Sequence, residues 1–367
     1  MEQIKRGRWP LIIVGILIVV IVFLVVWEKT NTSKDDIKVA YISTLSGDTD
    51  VWGQSLKKGF DFALNEINAS GGIKGRKVTA VYEDDKCNAS SGLTVFNKVI
   101  DVDGVKYITG TVCSTVAMAV AKKTQDNRVF YVASAATSPE VPKQGDLIFR
   151  PWPSDANDAL VVGKEVVTTF GLKKLAVISM DDNPAGIALR NTFKDTVIAN
   201  GGQIISDETI NSKTKDVKTS IQKILTGNPE GIYVATLPEQ SILVIGQIKS
   251  LGYKGKIFVY GDSALSGGFA DKIKDKTDIF YASPLSVKET SFWSDYKAET
   301  GTEPDLLVAL GYDSMKMIAY GIDVCGEDND CIRDTFLNIK DYQMTRGKVS
   351  FDQYGDVNGF EYEIVSL

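Results

Sequence analysis

Short apolar runs alternate along most of the chain with longer stretches in which apolar residues recur every three or four positions. The run Ile37–Ile42 is rich in β-branched residues, as strands are, and the stretch Gln54–Asn68 that follows it has helical spacing. Two further strand–helix units and a fourth strand at Val129–Val132 complete the series. This order predicts a parallel sheet with helices on both faces.

The same rhythm restarts after Phe149–Ser154, the segment FRPWPS. A second parallel sheet is predicted from strands at residues 175–179, 203–208, 231–235 and 256–260. The chain then ends in two apolar runs, Gly347–Phe351 and Gly359–Val365, on either side of a turn-forming DQYGD segment. We therefore predict a terminal β-hairpin from these two runs.

The predicted fold class is α/β: two doubly wound parallel-sheet lobes joined by a hinge of several chain crossings, preceded by an N-terminal transmembrane helix. The first lobe is predicted to comprise residues 37–153 and 284–346, and the second lobe residues 154–283 and 347–367. Residues 1–36 are predicted to form a cytoplasmic stub, a membrane anchor and a tether. Two hinged lobes leave a cleft between them, and such a cleft suits a small ligand.

The N-terminal segment has the composition of a membrane span. Sixteen uninterrupted apolar or glycine residues run from Leu11 to Val26. With three flanking residues they would span about 28 Å as a helix, close to the bilayer's hydrocarbon core of about 30 Å. The basic residues Lys5, Arg6 and Arg8 before the run predict a cytoplasmic N-terminus. A cleaved signal peptide is the alternative, but neither a small-residue cleavage site nor a cysteine for a lipid anchor follows the run.

Composition narrows the possible chemistry. The chain has no histidine, which removes Ser-His and Cys-His catalysis, imidazole metal ligands and the commonest general base. Nucleotide-binding and metalloprotease motifs are absent, and a net charge of −6 gives no indication of a nucleic-acid partner. We therefore predict a binding protein with no cofactor and no metal site. An enzyme that uses lysine, tyrosine or carboxylate side chains is the less favoured alternative.

Four cysteines lie beyond the anchor in two sequence-local pairs, Cys87 with Cys113 and Cys325 with Cys331. An even number without C-x-x-C spacing argues against zinc. Disulfides within the two pairs fit an oxidising compartment outside the cytoplasm. Four cysteines allow three pairings, and four buried free thiols are a further alternative.

Candidate ligand-binding residues lie in the loops after strands, because ligands of parallel sheets bind at the carboxyl ends of the strands. In the first lobe, Gly110–Thr115 and Ala133–Pro139 combine small residues, hydroxyl groups and free backbone N–H groups, which suit a carboxylate. Second-lobe loops carry carboxylates, among them Asp262. Donors on one lobe and a carboxylate on the other would match the two charged ends of an amino acid. The alternative is that the hydroxyl groups are ordinary helix N-caps.

Five short motifs follow one another along the chain. They are KVAY with SG at 38–47, INASGGIKG at 67–75, YEDDKC at 82–87, AATSPE at 135–140 and FDQYGD at 351–356. With this set the chain resembles the leucine/isoleucine/valine-binding protein family of ABC-transporter substrate-binding proteins, which have the type I periplasmic-binding fold. The resemblance covers about residues 37–367. The resemblance implies that Cys87–Cys113 corresponds to the disulfide of the family and that Cys325–Cys331 is a local addition.

The resemblance also implies a binding site. Family members hold the ligand's α-carboxylate at the positions of Ser114, Ala135, Ala136 and Thr137. Asp262 falls where an acidic residue contacts the α-ammonium group, and Trp52 where an aromatic residue lines the side-chain pocket. On the second-lobe wall, Thr236 replaces another aromatic residue and Pro184 replaces a tyrosine common in amino-acid binders. The side-chain specificity is therefore expected to differ.

These features predict capture of a small molecule by hinge closure. The resemblance implies an amino acid, with the branched-chain class as the first candidate, and delivery to ABC permease subunits in the membrane. The alternative is a ligand-sensing ectodomain that partners a membrane receptor. In either case the folded part is predicted to lie outside the cytoplasm, held at the cell membrane by a single N-terminal helix.

Overall fold

The computed structural model describes residues 36–47, 49–266, 268–284 and 290–367. The predicted anchor at residues 11–26 and the tether that follows it lie outside these ranges. Among the described residues, no helix is both long and apolar enough to cross a membrane. Strands and helices alternate there in the order that the sequence pattern predicts.

Five parallel strands form the first sheet, in the order β2-β1-β3-β4-β5. Their bounds are β1 Ile37–Ser43, β2 Val78–Asp84, β3 Tyr107–Gly110, β4 Phe130–Ala133 and β5 Ile148–Phe149. The connecting helices are α1 Asp50–Ala69, α2 Ala89–Asn97, with a π-helical turn at Lys98–Val102, and α3 Ser114–Asp126. Separate apolar clusters are buried on the two faces of this sheet, as expected for parallel strands covered on both sides.

Six strands form the second sheet, in the order β14-β10-β9-β8-β6-β7. Their bounds are β6 Lys174–Met180, β7 Gln203–Ile210, β8 Gly231–Ala235, β9 Lys256–Val259, β10 Ile279–Pro284 and β14 Tyr362–Ser366. The helices of this lobe are α4 Asp155–Thr168, α5 Pro184–Ala199, α6 Lys218–Thr226, α7 Pro238–Ser250, α8 Gly261–Leu265 and α9 Phe269–Lys272. Only the edge strand β14 runs antiparallel to its neighbour, and apolar clusters cover both faces.

The remaining elements return to the first lobe. They are α10 Phe292–Thr300, α11 Leu306–Cys325, α12 Asn329–Asn338, β11 Tyr342–Met344, β12 Gly347–Phe351 and β13 Val357–Asn358. Helix α11 packs along α1, and the three short strands form a small antiparallel sheet. Val349, Phe351 and Val357 of this sheet are buried in the first lobe's core.

The predicted terminal hairpin is wrong. Strand β12 pairs with β11 and β13, whereas β14 pairs with β10 at the edge of the second sheet. A turn signal shows where the chain reverses but does not select the partner strand. Here β14 pairs over five residues with the open edge of β10, whereas β12 pairs over only two residues with β13. The boundary predicted at residue 347 shifts for the same reason, because β12 and β13 pack with the first lobe and only β14 joins the second sheet.

The chain passes between the two lobes three times. These passages lie between β5 and α4, between β10 and α10, and between β13 and β14. Several passages at one edge allow the lobes to rotate about a common axis, as in hinged domain closure.

Both predicted disulfides are formed. The Cα–Cα distance is 5.5 Å for Cys87–Cys113 and 5.7 Å for Cys325–Cys331. The first links the loop after β2 to the residue before α3, and the second links the end of α11 to α12. The alternative of four free thiols is therefore wrong.

A buried carboxyl holds the loop between β11 and β12 against α11. Asp313 accepts hydrogen bonds from the backbone N–H of Thr345 at 2.9 Å and from the Thr345 hydroxyl at 2.7 Å. Burial raises the pKa of Asp313 to about 7, although these hydrogen bonds and the nearby Arg346 oppose the shift. The folded state therefore favours the protonated form of this carboxyl in weak acid.

We expect the free energy of unfolding to fall as the pH rises from about 4 to about 7. An unfolded aspartate has a pKa of about 3.9, so the folded state binds the extra proton of Asp313 within this window, and the slope is at most about 1.4 kcal/mol per pH unit for this carboxyl. The substitution Asp313→Asn should reduce the slope by this contribution, while Asp155 and Asp85, whose pKa values burial raises to about 7 and about 6, keep the rest of the dependence. Urea unfolding at pH 4.5, 5.5 and 7 measures both slopes.

The exposed Asp126 provides a matched control, and Asp126→Asn should leave the slope unchanged. Carboxyls with lowered pKa values act in a more acidic range. Burial acts to raise the pKa of Asp207, but hydrogen bonds from Arg190 and Lys194 lower it below its ordinary value. Stability that increases between pH 5 and pH 7 would contradict the prediction.

Candidate functional site

Two first-lobe loops lie side by side at the carboxyl ends of β3 and β4. Ser114 begins α3, and its buried Oγ accepts a hydrogen bond from the backbone N–H of Ser138 at 3.1 Å. A second link runs from the backbone N–H of Ala135 to the carbonyl of Thr111 at 3.4 Å. The structure thus brings Ser114 next to the loop of Ala135, Ala136 and Thr137, as a shared carboxylate site requires.

The turn after β3 is tightly constrained. Gly110 has a φ of +119°, and a Cβ at this position would lie 2.2 Å from the carbonyl oxygen of Ile42. The next residue, Thr111, has a φ of +27°, a value rare for a β-branched residue. Its backbone N–H donates to Ile42 at 2.6 Å, which holds the turn in place. Strain of this kind concentrates at functional sites.

Arg150 supports the Ala135–Ser138 loop from inside the protein. Its side chain is 1% exposed, and Nε and Nη2 each donate to Asp356 at 2.6 Å. Nη1 donates to the carbonyls of Ala136 at 3.1 Å and Ser138 at 2.9 Å. The guanidinium group therefore joins the predicted carboxylate loop to the turn between β12 and β13.

Three carboxylates, Asp155, Asp158 and Asp262, form what we call the acidic cluster where the lobes meet. Asp155 and Asp158 are the first and fourth residues of α4, and this spacing places them on one helix face. Ser154 caps the helix by accepting a hydrogen bond from the backbone of Ala156 at 3.2 Å. Asp262 is the second residue of α8, which follows β9.

Asp262 is surrounded by hydrogen-bond donors. The indole N–H of Trp152 lies 3.1 Å from both carboxylate oxygens, and the hydroxyl of Tyr260 donates to Oδ2 at 2.9 Å. Arg346 lies over the Trp152 ring, with its Cζ 5.3 Å from the ring centroid. Burial raises the pKa of Asp262, while the hydrogen bonds and the positive charges of Arg346 and Arg150 act to lower it.

The other two carboxylates are more deeply buried. Asp158 accepts hydrogen bonds from the Tyr233 hydroxyl at 2.7 Å and from the backbone N–H of Gly261 at 2.9 Å, and burial raises its pKa. Asp155 is 2% exposed and accepts a hydrogen bond from Tyr260 on Oδ1 only. Its Oδ2 has no hydrogen-bond partner among the described residues. Burial, aided by the neighbouring charge of Asp262, raises the pKa of Asp155 to about 7.

A narrow pocket lies between the lobes at this cluster. Its lining includes Trp152, Asp155, Asp158, Tyr260, Asp262 and Tyr362. As the lobes stand, the space holds little more than a water molecule. An amino acid can therefore enter only after the lobes separate, as a hinged binding protein requires.

The remaining predicted residues differ in their relation to this pocket. Thr137 contacts a residue that lines it, since the Tyr260 hydroxyl lies 3.5 Å from Thr137 Oγ1 and so joins Thr137 to Asp262. Trp52 lies half-buried in the first turn of α1. Thr236 is 1% exposed, and its hydroxyl pairs with that of Ser241 at 2.7 Å. That hydroxyl is used within its own lobe.

Of the six lining residues named above, only Asp262 was predicted from the sequence, and Trp152, Asp155, Asp158, Tyr260 and Tyr362 were missed. A signal for the two aspartates was present, because they stand one helical turn apart directly behind an N-capping serine at the first lobe crossing. Tyr260 had a weaker signal as the last residue before the Asp262 loop. Its pairing with Asp155, 105 residues away, follows only from the fold.

Known proteins of this architecture bind small solutes. The leucine-, isoleucine-, valine-, threonine- and alanine-binding protein of Pseudomonas aeruginosa is 26% identical over 340 residues, which cover 91% of this chain and 90% of that protein. A leucine binding protein of Thermotoga maritima superposes with a TM-score of 0.80 at 22% identity, covering 90% of this chain and 99% of that chain. An ABC-transporter solute binding protein of R. palustris in complex with 4-hydroxybenzoate gives a TM-score of 0.80 at 22% identity, with 90% and 93% covered.

These similarities extend over both lobes and agree with the resemblance inferred from the sequence motifs. The family model described as periplasmic binding protein matches residues 36–359, which include both sheets apart from β14. The chain therefore belongs to the periplasmic binding protein family.

Proposed function

We propose that this chain is the solute-binding component of an ABC importer and that it captures an amino acid between its lobes. Members of its family bind solutes without transforming them, so the chain is a binding protein and not an enzyme. The P. aeruginosa relative is named for five aliphatic or hydroxylated amino acids, and the T. maritima structure for leucine. These names support a small α-amino acid as the ligand class.

One observation carries the amino-acid proposal. A loop rich in hydrogen-bond donors, Ala135–Ser138 with Ser114, lies beside a cluster of carboxylates, and the Tyr260 hydroxyl joins the two. The loop would hold the ligand's carboxylate through the Ser114 and Thr137 hydroxyls and through backbone N–H groups. The acidic cluster would take the ammonium group. Trp52, at the first turn of α1, would line the side-chain pocket.

Closure of the lobes would complete the site. The ligand docks on the first lobe, and contacts to the second lobe form only in the closed state. Closure is favoured by the contacts that exist in that state alone, so the acidic cluster of the second lobe would supply the difference between open and closed forms. The ligand-bound form would then be recognised by permease subunits.

We also propose that residues 11–26 hold the protein at the outer face of the cell membrane. The support is the apolar run and the basic residues before it, together with two disulfides in the folded part, which fit an oxidising compartment. None of the three relatives described above is named as a sensor, so the alternative of a sensory ectodomain gains no support.

Calorimetric titration of the full-length protein with the twenty amino acids tests this function. The protein is purified in mild detergent and freed of retained ligand by unfolding and refolding. We expect at least one small aliphatic amino acid to bind with a Kd in the micromolar range, about −8 kcal/mol. The R. palustris relative provides the contrast, because 4-hydroxybenzoate has a carboxylate without an ammonium group. Heat with 4-hydroxybenzoate and none with any amino acid would refute the amino-acid proposal.

A further inference from the structure

We propose that Asp155, rather than Asp262, accepts the ligand's ammonium group, and that Asp262 is a positioning residue for Trp152 and Tyr260. This inference rests on the proposed function, since it assumes an amino-acid ligand in the same cleft. It departs from the resemblance to the leucine/isoleucine/valine-binding proteins, which places the ammonium contact at Asp262.

Asp262 has its charge compensated before any ligand arrives. Both of its oxygens lie 3.1 Å from the Trp152 indole N–H, and Oδ2 also accepts from Tyr260. Trp152 in turn lies against the cationic group of Arg346. A ligand ammonium at Asp262 would have to share these oxygens with the indole N–H of Trp152, which is 2% exposed, and with the hydroxyl of Tyr260.

Asp155 presents the opposite case. Its Oδ2 is buried, accepts no hydrogen bond from the described residues and belongs to a carboxylate that lines the pocket. A buried carboxylate oxygen without a partner is costly, and native proteins rarely leave one unless a ligand or water completes it. An ammonium group carries three N–H donors and would satisfy this oxygen directly.

The position of Asp155 also fits the size of an amino acid. In an α-amino acid the carboxylate and the ammonium group are attached to the same carbon, so their protein partners must lie close together. The backbone N–H of Asp155 donates to the carbonyl of Thr137 at 3.0 Å, which places the aspartate directly beside the proposed carboxylate loop. Asp262 makes its contact with Thr137 only through the hydroxyl of Tyr260.

Charge points the same way. The acidic cluster contains three carboxylates, and of the nearby cations Arg150 is fully engaged with Asp356 and two carbonyls. Arg346 lies over the Trp152 ring, and its charge acts on Asp262 and Asp313. A ligand with an ammonium group would therefore bring the missing positive charge, and a carboxylic acid without one would leave Asp155 unpaired or protonated.

Binding should accordingly strengthen as the pH rises. The groups that face Asp155 are Asp262 and Tyr260 from the second sheet, Asp158 on its own helix, Arg150 from the first crossing and Thr137. Burial and the neighbouring charge of Asp262 raise the pKa of Asp155 to about 7, although the hydroxyls of Tyr260 and Thr137 and the charge of Arg150 oppose the shift. Below that pH the carboxyl of the unliganded protein is therefore protonated and the ammonium contact is lost. We expect affinity for an amino acid to increase about 30-fold between pH 5.5 and pH 8, because the ionised fraction of a carboxyl with this pKa rises from about 3% to about 90%.

The test compares L-leucine with 4-methylpentanoate, which is leucine without its ammonium group, by calorimetry on the full-length protein. If another amino acid binds more tightly in the screen above, that amino acid and its deaminated acid take their place. Asp155→Asn should weaken leucine binding about 100-fold and change 4-methylpentanoate binding less than about threefold. The matched variant Asp262→Asn keeps an acceptor for Trp152 and should weaken leucine binding about tenfold at most.

Each outcome decides between the two assignments. Asp155→Asn with leucine affinity within about threefold of wild type would overturn the inference, as would loss of discrimination between the two ligands in Asp262→Asn alone. The pH profile of the wild-type protein provides a second test that needs no variant, and a flat profile between pH 5.5 and pH 8 would contradict the role of Asp155. A wild-type protein that binds no amino acid would instead overturn the proposed function, and the inference with it.

Discussion

Replacement of Arg150 by alanine is expected to lower the free energy of unfolding by about 3–5 kcal/mol. The side chain is 1% exposed and makes two bonds to Asp356 and two to backbone carbonyls. Its removal leaves a partly buried carboxylate and two carbonyls without their donor, and such uncompensated groups are more costly than the lost attraction itself. Equilibrium unfolding in urea measures the loss.

Ligand affinity should fall in the same variant, because Arg150 fixes the carbonyls of Ala136 and Ser138 on either side of Thr137. Arg150→Lys should recover little of either loss, since an ammonium group cannot reproduce the planar fork of a guanidinium. Arg128→Ala is the matched control. Arg128 also pairs with two carboxylates, but its side chain is 40% exposed and the pairs contribute at most about 1 kcal/mol. Equal losses for the two arginines would contradict the structural role given to Arg150.

Removal of the Cys87–Cys113 disulfide is expected to lower the free energy of unfolding by about 3 kcal/mol. The bond closes a loop with a sequence separation of 26 residues, so its loss restores considerable freedom to the unfolded chain. It should also weaken ligand binding, because Cys113 immediately precedes Ser114 and fixes the start of α3. The double variant Cys87→Ala/Cys113→Ala is compared with wild type by urea unfolding and by calorimetry.

The second disulfide provides the control. Cys325–Cys331 spans only 6 residues, so its loss should lower the free energy of unfolding by about 2 kcal/mol. It lies between α11 and α12, outside the pocket at the lobe boundary, and its removal should leave ligand affinity unchanged. Weakened binding in Cys325→Ala/Cys331→Ala and normal binding in the other double variant would reverse these assignments.

The two α/β lobes could be predicted well because parallel strands that are buried on both faces are continuous apolar runs, which are easy to recognise in a sequence. Strands such as Val39–Ile42 and Ile232–Ala235 are continuous apolar runs, and the helices between them have a clear periodicity. The last 25 residues have no such clear pattern. Their strands are short, and the choice of β10 rather than β12 as the partner of β14 depends on an open sheet edge formed by residues far away in the chain.

The candidate site divides along the same line. Ser114 and Ala135–Thr137 could be predicted, since they follow strands whose carboxyl ends meet at one sheet edge. The grouping of Asp262 with Asp155 could not, because the two come together only through Tyr260 and the crossing that contains Trp152. The role of Thr236 stays a prediction, and in the structure its hydroxyl pairs with that of Ser241 inside the second lobe.

The pairing of the C-terminal strands has a consequence for biosynthesis. The first lobe needs β12 for its core, and the second sheet is completed only by β14, whose last residue is Ser366. At a translation rate of about 5–20 residues per second, neither lobe can finish folding until its late strand, β12 or β14, has been synthesised. A polypeptide that folds so late stays unfolded during most of its synthesis. A translocation channel requires an unfolded chain.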